Sequence, residues 1–160
     1  MRNTFLFLAA LSALTVPALE LPDIISPNAV LQQQSDARLW GWTDPGRTVT
    51  VTPSWPGATP VTAKGGKDGR FDLSVATPAA SFTPYTITFS DGKDTVTIGN
   101  ILTGEVWFCS GQSNMEMPLR GFGIQPIEGA GEAIAYSGRY PGIRMANVPK
   151  LESYTPQDRT

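Results

Sequence analysis

"EVWFCSGQSNMEMPL", residues 105–119, decides how the chain on either side of it is read. The near-continuous apolar run after Glu105 suits a strand covered on both faces, as in a parallel sheet. Gly111 permits a tight strand exit that a side chain would obstruct. Ser113 then stands at the carboxyl end of the strand, where ligands bind in open α/β sheets. Asn114 to Met117 start a helical turn, with Pro118 near its beginning. An exposed hydroxyl at such a bend, with backbone N–H groups aimed at a developing oxyanion, is the geometry of a nucleophile. Serine beside glycine is also common in ordinary turns, so both readings stay open on the residues alone. Ser110 precedes the glycine and belongs to the strand. Cys109 reads as a small buried strand residue, because no histidine or charged partner is at hand to activate a thiolate.

Amino-terminal to this block the pattern differs. "RTVTVT" (47–52), "RFDLSV" (70–75) and "YTITFS" (85–90) alternate apolar and polar residues, as half-buried strands do. "ARLWGW" (37–42), "PVTAKG" and "TVTIG" add further short strands. Asp44-Pro45-Gly46, Lys67-Asp68-Gly69-Arg70 and Ser90-Asp91-Gly92-Lys93 are turn signals, the Asp-Gly pair being a hairpin signal. Strands at this spacing predict a β-sandwich-like module over residues 19–102. Trp40 and Trp42 share one face of a regular strand. With Trp55 they either fill the core and a domain contact or offer a platform for sugars.

Composition removes several functions. The 160 residues carry a formal charge of −2, with only 16 % charged residues. There is no basic footprint for nucleic acid and no polybasic membrane patch. One cysteine and no histidine exclude an intrachain disulfide and leave only scattered carboxylates for a metal. No metal and no cofactor are expected. Residues 1–18 read as a secretory signal, with Arg2, an apolar run from Phe5 to Leu14, and a cleavage context Val16-Pro17-Ala18. That run is shorter than the ~20 residues of a membrane-spanning helix, so stable insertion is not expected. A secreted or extracytoplasmic protein follows.

The same residues resemble a known family. "ISPNAVLQQQSDARLWGWTDPGRTVTV", "DGRFDLSV", "PYTITFSDG", "TGEVWFCSGQSNMEMPL" and "YPGIRMANVPK" resemble the sialate O-acetylesterase-like branch of the SGNH hydrolase superfamily. The resemblance implies an amino-terminal β-sandwich module followed, over 103–160, by the first part of an α/β SGNH-hydrolase-like catalytic domain. It implies that Ser113 is the catalytic serine, attacking an acetyl carbonyl to form an acetyl-enzyme. Its backbone N–H would be one oxyanion donor, and Gln112 and Asn114 would hold the loop and line the pocket. Glu116 fits a helix-capping role better than that of a base. The implied substrate is an O-acetylated sugar or polysaccharide, with a sialic acid ester and a xylan ester equally compatible. The family's later glycine and asparagine donors and its Asp-x-x-His pair have no counterpart, and Asn147 lies in no such block. The expectation is therefore an amino-terminal fragment, inactive alone. The alternative is a non-catalytic carbohydrate-binding or structural β module.

Overall fold

The computed structural model describes residues 19–150 and 152–157, so the expected signal segment lies outside the described residues. Among the described residues seven strands form: β1 (Val30–Gln32), β2 (Asp36–Trp42), β3 (Thr48–Pro53), β4 (Val61–Lys64), β5 (Arg70–Ala76), β6 (Ser81–Ser90) and β7 (Thr95–Gly104). Two short helices follow, α1 (Ser113–Glu116) and α2 (Ala130–Tyr136), and a 3₁₀ turn at Ser137–Arg139.

The strands make two sheets. One has five strands in the order β1-β7-β6-β3-β4, and the other pairs β2 with β5. All pairings are antiparallel except β1 with β7, which is parallel. The alternation read in the sequence is the reason. In β3 Val49 and Val51 are buried, in β5 Phe71, Leu73 and Val75, and in β6 Ile87 and Phe89. These inward positions recur at every second residue, so each strand has one dry face. Together with Leu39, Ile98 and Ile101 they form one cluster between the sheets. The result is a curled β-sheet domain followed by a short helical segment.

Two features refine the sequence reading. Gly69 adopts φ +80, as the Asp-Gly signal requires. Yet β4 and β5 lie in different sheets, so this turn is a crossover and no hairpin forms there. The Ser90–Lys93 turn does join a hairpin, β6 to β7. The short β1 carries no alternation signal of its own. Its pairing with β7, Val30 to Leu102 and Gln32 to Gly104, is a tertiary effect.

The tryptophans divide. Trp55 is in the core, only 4 % exposed. Its indole Nε1–H donates to the Ala76 carbonyl at 3.1 Å, and its ring meets Tyr85 edge-to-face at 5.8 Å. A buried indole needs such an acceptor. Trp40 and Trp42 are half-buried on β2, and Trp40 packs against the core.

Candidate functional site

The Glu105–Leu119 block leaves the β domain at once. β7 ends at Gly104, and residues 105–112 belong to no strand. The strand expected across 104–111 is therefore absent. Val106 is 51 % exposed, Trp107 83 % and Phe108 92 %, so no second layer covers the run. An apolar run becomes a buried strand only when neighbouring strands pair with it and helices cover it. Among the described residues nothing does either. For the same reason Cys109 is exposed, against the expectation that it is buried.

Ser113 opens α1, a single helical turn. Gln112 precedes it with a non-helical backbone, φ −111 and ψ −147, and its carbonyl accepts from the Met115 N–H at 2.9 Å. Gly111 leaves room for Met115 to fold back, since a Cβ there would lie 2.6 Å from Met115 Cγ. Met117 turns the chain out of the helix with ψ 119, the extended backbone favoured before proline. Pro118 thus follows the turn and does not begin it. Gln112, Ser113 and Asn114 are contiguous and exposed. Glu116 makes no side-chain cap and instead pairs with Lys150. Asn147 is exposed in irregular chain.

This arrangement presents an exposed serine hydroxyl with no base bonded to it among the described residues. The chain has no histidine, and Glu116, the acid nearest to Ser113 in sequence, is held by an ammonium. Among the described residues no cluster of His, Cys, Asp or Glu could hold a metal. No helix among them is long and apolar enough to cross a membrane.

The root of the block is held more firmly than its tip. Glu105 Oε1 accepts from Gln33 Nε2 at 2.6 Å, and Oε2 from Gln32 Nε2 at 3.1 Å. These bonds, Gln33 first and then Gln32, hold the Glu105 carboxyl below its ordinary range. Gln32 Oε1 in turn accepts from the Val106 N–H at 2.9 Å. At the other end of β1, Arg144 Nη1 donates to the Ala29 carbonyl at 3.1 Å and also to the Asn100 carbonyl. Arg144 Nη2 donates to Asn100 Oδ1 at 3.0 Å. Sequence reasoning missed this group. Two signals for it existed: the polar run Gln32-Gln33-Gln34, and asparagines at 28 and 100, which tolerate left-handed backbone. Both asparagines adopt it, with φ 70 and φ 55.

No family model matches the chain. It is similar to the sialate O-acetylesterase of Mus musculus, 30 % identical over 132 residues, which covers 78 % of this chain and 23 % of that protein. The human sialate O-acetylesterase is 28 % identical over 136 residues, 81 % of this chain and 25 % of that protein. The crystal structure of a carbohydrate acetylesterase from Xanthomonas citri superposes with a TM-score of 0.69 at 26 % identity, covering 88 % of this chain and 30 % of that one. The chain spans about a quarter of the length of the curated relatives it matches. It is related to the carbohydrate esterases.

Proposed function

We propose that residues 103–160 contribute the nucleophile segment of an SGNH-type carbohydrate O-acetylesterase, carried on a β-sandwich-like module over 19–102. The observation that carries this reading is Ser113 at the exposed start of a one-turn helix, directly after Gly111-Gln112, in a chain related to carbohydrate esterases. The substrate class is an O-acetylated sugar, as a sialic acid ester or a polysaccharide ester such as acetylated xylan. Export from the cytoplasm, through the segment 1–18, belongs to the same proposal.

The chemistry needs two steps. Ser113 Oγ attacks the acetyl carbonyl, the C–O bond to the sugar breaks, and the sugar oxygen takes up a proton. Water then cleaves the acetyl-serine ester, releasing acetate and regenerating the hydroxyl. The Ser113 N–H is assigned to the oxyanion, with Gln112 and Asn114 shaping the loop around it. A general base must accept the serine proton. Because these 160 residues contain no histidine, the base is supplied from outside them.

Hydrolysis of a chromogenic acetate tests the proposal. The 160-residue chain alone is expected to match a protein control. The same chain joined to the remainder of the mouse relative, beyond the stretch it matches, is expected to turn over, and Ser113→Ala in that joined protein to abolish turnover. Ser113-dependent hydrolysis by the 160-residue chain would remove the need for an external base.

A further inference from the structure

The strand β1 is three residues long, yet the two ends of the segment that carries Ser113 are tied at or beside its two ends. At its carboxyl end lies a closed set of side-chain bonds. Gln33 Nε2 donates to Glu105 Oε1, and Gln33 Oε1 accepts from the Ala80 N–H at 2.7 Å. Gln32 donates to Glu105 Oε2 and accepts from the Val106 N–H. Each amide therefore uses both its donor and its acceptor, which fixes its orientation. At the amino end Arg144 spans the Ala29 carbonyl, the Asn100 carbonyl and Asn100 Oδ1. Asn100 is itself held by Asn28, Nδ2 to Oδ1 at 2.7 Å. A guanidinium is suited to this, because its donors lie in a rigid planar fork.

We infer that these two groups, Gln32-Gln33-Glu105 and Asn28-Asn100-Arg144, are positioning residues that anchor the Ser113-bearing segment to the β domain at the two ends of β1. Between Glu105 and Arg144 the segment has exposed apolar side chains and no strand pairing to the β domain. The anchors set where it leaves and where it returns. Charge-assisted bonds of this kind are stronger than neutral ones, and each anchor closes a distinct stretch of chain. The named role rests on Ser113 being the functional side chain. The anchoring does not, and it can be measured without catalysis.

The lone exposed Cys109 provides one site for a spin label, and Thr62→Cys on β4 a second. The whole chain is expected to give one narrow inter-label distance. Gln33→Glu sets two carboxylates against each other and should broaden the distribution. Adding Glu105→Gln should narrow it again, because the new amide at position 105 can donate to the new carboxylate at position 33 and still accept from Gln32. For the other anchor, labels at Met145→Cys and Thr62→Cys in a Cys109→Ser background should broaden with Arg144→Ala. An unchanged urea midpoint for the β domain shows that the fold is retained. A broad wild-type distribution, or Gln33→Glu and Arg144→Ala without effect, overturns the proposal. Failure of the exchanged pair to restore the narrow distance overturns the Gln33–Glu105 assignment. Absence of Ser113-dependent turnover in the chain joined to the remainder of the mouse relative, with the inter-label distance still narrow, would instead count against the esterase reading.

Discussion

Replacing Asp91 by alanine should destabilise the β domain by about 3 kcal/mol at pH 7. Asp91 closes the β6–β7 hairpin and is only 6 % exposed. Its Oδ1 accepts from the Lys93 and Asp94 N–H groups at 2.9 and 2.7 Å, and its Oδ2 from the buried Thr43 hydroxyl at 2.7 Å. Burial alone would push its pKa up. The Asp94 N–H, the Thr43 hydroxyl, the Lys93 N–H and the nearby Arg47 charge together outweigh burial and lower it from 3.8 to about 2. At about 1.4 kcal/mol per pH unit, that gap corresponds to about 2–3 kcal/mol of stability. The folded value lies below the unfolded one. The contribution is therefore full above pH ~4 and is lost as pH falls toward 2. Alanine also strands the Thr43 hydroxyl, a cost of roughly 1–3 kcal/mol that overlaps with the first. Urea unfolding followed by tryptophan fluorescence measures both. The wild-type advantage over Asp91→Ala should shrink by about 2 kcal/mol between pH 7 and pH 2. A loss below about 1 kcal/mol at pH 7, or one independent of pH, would refute this account of the turn.

Trp55→Ala should cost about 3–5 kcal/mol by leaving a cavity, and Trp55→Phe about 1 kcal/mol through the lost bond to Ala76; urea midpoints distinguish them, and equal losses would contradict the hydrogen-bond assignment. Gly69→Ala should destabilise by more than about 1 kcal/mol, since φ is +80 and the added Cβ would overlap the Thr43 carbonyl oxygen; a neutral result in the same assay would count against that turn. Chymotrypsin should cut first within 105–157, after Trp107 or Phe108, and leave a resistant core from the β domain; earlier cleavage inside β2–β7 would reverse that order. Secreted protein should begin at Leu19, which is buried and followed by Glu20 bridged to Trp42; amino-terminal sequencing that finds Met1 would reject the signal reading.

The β domain was legible because its signals are local. Val49 and Val51, or Phe71, Leu73 and Val75, lie two residues apart, and the pleat alone sends them to one side. The assignment of strands to two sheets was not legible. The Asp68-Gly69 turn has the same backbone requirement in a hairpin as in a crossover, and only packing decides between them. The opposite error occurred at 105–111. Val106, Trp107 and Phe108 read as a covered strand, but a strand exists only with a partner, and the described chain offers none. The Arg144 anchor was invisible for another reason. Arg144 and Asn100 are 44 positions apart, and no periodicity links them. For Ser113, sequence supplied the candidate through a motif. Structure adds its place at the head of α1 and its exposure, and these 160 residues contain no histidine to serve as its base.

The most direct test of the central claim is intact-mass and peptide-level analysis of the chain joined to the remainder of the mouse relative, from the point where its match to this chain ends, quenched in acid during turnover of a chromogenic acetate. A single acetyl adduct is expected on the peptide that contains Ser113. In the Ser113→Ala variant no adduct is expected, with a loss of turnover on the scale of about 10³-fold or more. Turnover that persists at the wild-type rate in Ser113→Ala, or an acetyl group that maps to another residue, would contradict it.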